Sequence, residues 1–222
     1  MGEAAAGPGR SWAGRLISFE GIDGAGKSTQ VEALVAWLGA QGREVVSVRE
    51  PGATGLGREV REMVLHRRWD ASLDPWAEAL LLVAARAQLL KEIVLPALAR
   101  GVVVVCDRFV DSTLAYQGVA RGLGVEPLRR LHAQSCGDVW PDLTVYLELP
   151  VAVALRRRDA SELPLDRMEA GGGAFLDAVA RGFAAVAAAE PVRVARVDAG
   201  RPEAVVTAAV LALVAERLAA PR

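Results

Sequence analysis

Residues 19–29 read FEGIDGAGKST, and the spacing of glycines, lysine and serine is that of a phosphate-binding loop. Gly21, four intervening residues, then Gly26, Lys27 and Ser28 fit the P-loop pattern. Glycines let successive backbone N–H groups curl inward at phosphate oxygens. Lys27 is placed to reach β- and γ-phosphates, and Ser28 to ligate Mg2+. A helix starting near Ser28 directs its positive end at the same anion. Gly21, Ile22, Asp23, Gly24, Ala25, Gly26, Lys27, Ser28 and Thr29 are therefore the expected ATP-binding residues. Of 26 basic residues, all but Lys27 and Lys91 are arginines, so a lysine in this slot is not background composition. No N-K-x-D-like guanine signature accompanies the loop, which favours transfer to a small acceptor over a GTPase switch.

Asp107 and Arg108 follow the unbroken apolar run 102–106, which suits a strand buried on both faces. Open α/β sheets carry their sites just beyond the carboxyl ends of strands. Asp107 is thus expected to hold the water shell of Mg2+, and Arg108 to grip an acceptor phosphate with its planar fork. An Asp107–Arg108 ion pair capping the strand is the plainer alternative. Arg156, Arg157 and Arg158, with Arg167 further on, read either as a solvated helix end or as mobile charge over a γ-phosphate. His66 and His132 fall in no motif and are assigned to structure or solvent.

The elements that must position these groups alternate along the chain. Strands are expected at 16–19, 44–48, 102–106, 143–149 and 192–197. Helices are expected at 28–40, 56–65, 75–99, 111–119, 127–134, 151–158, 174–190 and 202–218. Pro96 is expected to kink or end the third of these. The alternation predicts one α/β domain over 15–222, a five-stranded parallel sheet with helices on both faces. Residues 1–14, rich in Gly, Ala and Pro, read as a disordered leader without a signal peptide's apolar core. With 222 residues, 52% apolar, the chain can bury a sizeable core. A formal net charge of -1 provides no global field for nucleic acid or an anionic membrane. No stretch reads as a membrane span. Cys106 and Cys136 read as free thiols in a reducing compartment, with the cytoplasm as the default.

Further segments, together with the loop, resemble the thymidylate kinase family over roughly 16–200. Residues 49–54 (REPGAT), 107–109 (DRF), 112–118 (STLAYQG) with Arg121-Gly122, and 141–144 (PDLT) resemble its REPGGT, DRY/DRH, S-x-x-A-Y-Q-G…R-G and P-D-L-T segments. Residues 84–88 (AARAQ) resemble its A-D-R-A-Q. The resemblance implies a P-loop NTPase fold with a short lid at about 157–172, and Mg2+-dependent transfer from ATP to dTMP in a homodimer. It implies that Arg86 hydrogen-bonds the thymine edge, that Thr113 contacts the base, and that Tyr116 crowds the ribose 2′ position. Tyr116 reads equally well as a core aromatic. Glu50, Pro51, Leu82 and Gln117 complete the implied substrate pocket, and Asp23 would lie near the acceptor's sugar, phosphate or metal. Ala25 occupies the slot where some members carry an arginine, so the lid is expected to supply that charge, through Arg157 and Arg167. The departures are in the base pocket. Leu82 stands where the family usually stacks a phenylalanine on thymine, a contact worth about 1–3 kcal/mol. Ala85 and Ala53 also differ. They leave open a kinase for another or modified pyrimidine deoxynucleoside monophosphate and, from a different class, a catalytically silent ATP-binding interaction module.

Overall fold

A computed structural model describes residues 12–67, 69, 71–159 and 172–220. Among these, five strands form one parallel sheet in the order β2-β3-β1-β4-β5. The strands are β1 (Arg15–Glu20), β2 (Val45–Arg49), β3 (Val103–Asp107), β4 (Leu143–Glu148) and β5 (Val194–Asp198). Every residue of β3 is buried, as its run of valines predicts for a strand covered on both faces.

Helix α1 (Lys27–Ala40) lies against β1, β2 and β3, and α9 (Glu203–Ala219) packs beside it on β4 and β5. The right-handed crossovers send the remaining helices to the other face. These begin with α2 (Gly55–Arg61), extended by a π-helical segment over Glu62–His66, and α3 (Pro75–Leu89). Asp74 caps α3, accepting from Trp76 N at 2.8 Å and Ala77 N at 3.2 Å, with Pro75 in the first turn. Of the two expected outcomes at Pro96, the helix does not end but is interrupted just before it. A π segment over Leu90–Val94 precedes α4 (Leu95–Ala99), which places Pro96 in a first turn, where a missing N–H is tolerated.

After β3 come α5 (Val110–Thr113), a third π segment over Leu114–Ala120, and α6 (Val125–Cys136). Asp111 anchors α5 from below: Arg193 donates to both its oxygens at 2.7 Å, and Thr144 Oγ1 donates at 2.8 Å. After β4 come α7 (Val151–Asp159) and α8 (Gly172–Ala189), the latter packed along the third π segment. By length and mean hydropathy (1.3), α8 is apolar enough to cross a membrane, which the sequence reading had not anticipated. Leu176, Val179, Phe183 and Val186 are nonetheless buried in the core.

Of residues 1–14, expected as a leader, only the last three are described. Gly14 donates its N–H to Leu98 O at 2.9 Å, and Trp12 packs against the core; residues 1–11 lie outside the described residues. Cys106 and Cys136 are free and buried, and burial pushes both thiols up in pKa.

His132 is structural. One ring nitrogen, Nε2, bonds Val139 O at 2.8 Å, and the ring meets Phe109 and Trp140 edge to face. Its Nδ1 is buried without a partner. Burial, aided by the Arg86 charge, lowers its pKa to about 4. Because the unfolded imidazole binds a proton first, stability should fall as pH drops from about 6.5 toward 4. Melting temperature against pH should show that slope in the native chain and a shallower one in His132→Gln; parallel curves would contradict this.

Candidate active site

The register aligns Phe19 and Arg49 with Asp107, so the carboxyl ends of β1, β2 and β3 finish level. The loop after β1 therefore opens beside Asp107 and Arg108. Its curl requires glycine. Gly21 has φ 142° and a Cβ there would lie 2.6 Å from Leu147 O, while Gly26 has φ 87° at the start of α1. Lys27 Nζ lies across the loop, donating to Gly21 O at 3.1 Å and Ile22 O at 3.0 Å. It also approaches Asp23 Oδ1 at 3.5 Å. Burial and the nearby Arg108 charge pull its pKa below the ordinary lysine value, against the pull of Asp23, Asp107 and Glu20.

Arg108 has left-handed backbone, φ 69°, which costs a non-glycine residue about 1–2 kcal/mol. The surroundings hold it there. Its N–H donates to Phe19 O at 3.0 Å, and Glu20 accepts from Phe109 N at 2.7 Å and Ser112 Oγ at 2.5 Å. Burial, with the Asp111 charge, raises the Glu20 carboxyl to about 8. The Arg108 guanidinium donates to Asp23 Oδ1 at 2.6 Å, Gly21 O at 3.0 Å, Ser112 Oγ at 3.0 Å and Tyr116 Oη at 3.3 Å. Burial opposes its charge, but Asp23 outweighs that and holds the pKa well above normal. Reciprocally, Arg108 and Lys27 overcome burial to keep the Asp23 carboxyl far below its usual range. The carboxylate partner of Arg108 is thus Asp23, not Asp107.

Asp107 faces the loop instead. Ser28 Oγ donates to its Oδ2 at 2.9 Å, and Arg49 Nε lies 3.7 Å from the same oxygen. Its other oxygen, Oδ1, is buried and has no hydrogen-bond partner. An orphaned buried carboxylate oxygen beside a hydroxyl suits a hard divalent cation or its water. Among the described residues no cluster of three or more His, Cys, Asp or Glu forms. That fits Mg2+, which keeps several waters and leans on substrate phosphates.

From the loop mouth a cleft runs toward α3. Asp23, Glu50, Pro51, Leu82 and Arg86 line it, as do Arg108, Thr113, Tyr116 and Gln117. All the residues expected at the acceptor therefore surround one cavity. At its inner end Arg86, 2% exposed, donates to Glu50 Oε2 at 2.8 Å, Thr113 Oγ1 at 2.8 Å and Phe109 O at 3.3 Å. Burial disfavours its charge and Glu50 more than offsets that. Glu50 and Thr113 thus hold the arginine. Arg86 Nη1 has no partner, although leaving a buried donor unpaired costs about 1–3 kcal/mol or more. Tyr116 packs as a core aromatic with its hydroxyl paired: the hydroxyl accepts from Arg108, while the ring meets Phe175 and Phe183 at centroid distances of 6.2 and 6.0 Å.

The thymidylate kinase family profile matches residues 19–210, from the end of β1 into α9. The chain belongs to the thymidylate kinase family. It is 48% identical over 199 residues to a thymidylate kinase of Clavibacter sepedonicus, covering 90% of this chain and 93% of that one. It is 46% identical over 206 residues to one from Chromohalobacter salexigens, covering 93% and 97%.

This thymidylate kinase family member has Arg157 on α7 beside its loop, donating to Gly24 O at 3.3 Å and Ala199 O at 3.0 Å. Arg167 and most of the expected lid lie outside the described residues. Thr29 is exposed in the first turn of α1, and Ala25 is buried. Arg49, Arg61 and Ser112 also line the cleft and were not singled out beforehand. Arg49 was findable, since it ends a strand beside Glu50. Arg61, on α2 with its Nη1 bonded to Pro51 O at 3.1 Å, carried no local signal.

Proposed function

We propose that this chain transfers the γ-phosphoryl group of ATP directly to dTMP, giving ADP and dTDP. The supporting observation is one cleft with two arginines: Arg108 at the loop mouth and, deeper, Arg86 with an unspent donor. They suit the two ends of a nucleoside monophosphate, its phosphate and its base carbonyl.

The loop amides and Lys27 hold the donor phosphates, and Lys27 exchanges its carbonyl contacts for phosphate oxygens. Ser28 and Asp107 would hold Mg2+, which when bound neutralises charge on the donor phosphates. Arg108 trades part of its pairing with Asp23 for the acceptor phosphate, presenting a planar fork. The acceptor oxygen is already a competent nucleophile, so rate comes from alignment and charge neutralisation rather than a strong base. Arg157, tied to Gly24, brings a further positive charge to the donor side.

Two copies pairing through α2 and α3 suits this chain, since Leu56, Trp76 and Leu80 are 44%, 42% and 52% exposed there. Light scattering should give twice the chain mass.

The test of function is ADP release with ATP–Mg2+ and a panel of dTMP, dUMP, UMP, CMP and AMP. Fastest turnover is expected with dTMP; preference for another acceptor, or none, would contradict the proposal. Leu82 is half-buried at the cleft wall, where a leucine offers no stacking face. Leu82→Phe should therefore lower KM for dTMP by about fivefold at the low end of stacking energies. An unchanged KM would show that residue 82 does not lie under the base.

A further inference from the structure

Glu78 lies in the first turn of α3, is 1% exposed, and does not line the cleft. Its Oε1 accepts from Gln117 Nε2 at 2.7 Å, within a buried pair. Gln117 does line the cleft, from the third π segment, and is also 1% exposed. Arg121 Nε stands 3.5 Å from Glu78 Oε1 as its counter-charge, with its guanidinium 4.5 Å from the centroid of the Phe175 ring.

A primary amide has a donor end and an acceptor end and can fit a site either way round. A carboxylate accepts only, so it admits one orientation, with the NH2 toward Glu78. The polar atom that Gln117 has left for the cleft is then its carbonyl oxygen. Across the same cleft, Arg86 Nη1 is an unpartnered donor. A donor and an acceptor together match a carbonyl adjoining a ring N–H, the edge of thymine or uracil. Cytosine presents an amino group and a lone pair, so it would oppose both.

We propose that Glu78 is a positioning residue for base selectivity, acting through Gln117 by fixing which end of the amide faces the pocket. This rests on the reading of the cleft as the site of a pyrimidine monophosphate. It adds that discrimination against the cytosine ring depends on a residue that does not touch the substrate.

The experiment compares kcat/KM for dTMP and dCMP in wild type, Glu78→Gln, Gln117→Leu, the double variant and Glu78→Asp. A glutamine at 78 offers both a donor and an acceptor, which frees Gln117 to turn. The dTMP/dCMP ratio should fall by at least about tenfold in Glu78→Gln, mainly through the KM values. In the Gln117→Leu background, Glu78→Gln should change the ratio no further, because its effect passes through that amide. Glu78→Asp keeps an acceptor-only partner and should retain the wild-type ratio within about threefold. An unchanged ratio in Glu78→Gln, an additive double variant, or a ratio lost in Glu78→Asp would each overturn the proposal. Should Glu78→Gln fail to fold, the aspartate variant still decides. A wild-type chain that ignores dTMP would instead refute the proposed function, a separate and visible outcome.

Discussion

Replacing Lys27 by alanine should lower kcat by at least about 10³-fold, while the circular dichroism spectrum and melting temperature stay close to wild type. Lys27 is buried, and the fold gives it no carboxylate closer than Asp23 at 3.5 Å. Its nearest contacts are the carbonyls of Gly21 and Ile22, neutral acceptors easily exchanged for charged phosphate oxygens. Its cost to stability is therefore small. Its contribution to transfer is large, because charge developing on the γ-phosphoryl group meets a desolvated ammonium that needs no reorganisation. Burial already presses the lysine pKa downward, so an anion arriving there is held more strongly than at an exposed lysine. ATP affinity should weaken far less than kcat falls, since the loop amides and the α1 terminus still hold the donor. Retained turnover would remove Lys27 from the mechanism.

Arg108→Lys should cost about 10²-fold or more in kcat/KM for dTMP, with much of the loss in KM, despite the conserved charge. The guanidinium serves Asp23, Gly21, Ser112 and Tyr116 at once, over distances of 2.6 to 3.3 Å. An ammonium cannot reach that set and also present two parallel donors to a phosphate. The backbone at φ 69° aims the side chain into the loop mouth, and Glu20 maintains that aim through Phe109 and Ser112. The KM for ATP should change little. An equal rise in both KM values would mean that Arg108 supports the loop rather than the acceptor.

Much of this was legible from local pattern. The loop carries its own chemistry in Gly21, Gly26, Lys27 and Ser28, and β3 announced itself as a valine run ending in Asp-Arg. The parallel sheet followed from strands alternating with helices. Strand order did not, because it depends on which crossovers pack best, and no local signal encodes that. The three π segments were read as ordinary helix, since hydrophobic spacing over five to seven residues scarcely separates the two geometries. One of them carries Tyr116 and Gln117, so the missed irregularity is where the cleft is shaped. At Pro96 the wide turn before it removes the conflict its ring would create, so the helix is interrupted there yet runs on to Ala99. Pairings across the chain were the least visible. Asp107 beside Arg108 in sequence suggested an ion pair, but successive residues leave a strand on opposite sides, and Arg108 turns instead to Asp23, 85 residues away. Arg86 with Glu50, and Gln117 with Glu78, are likewise tertiary meetings of residues 36 and 39 apart.

The central claim is that the cleft holds the acceptor phosphate in line with the donor, with no phosphorylated enzyme between them. ATP made chiral at the γ-phosphorus tests this directly, with dTDP recovered and its β-phosphorus configuration read by NMR. Inversion, with the label in dTDP, is the predicted result. Retention, or label appearing on the protein or in inorganic phosphate, would contradict it.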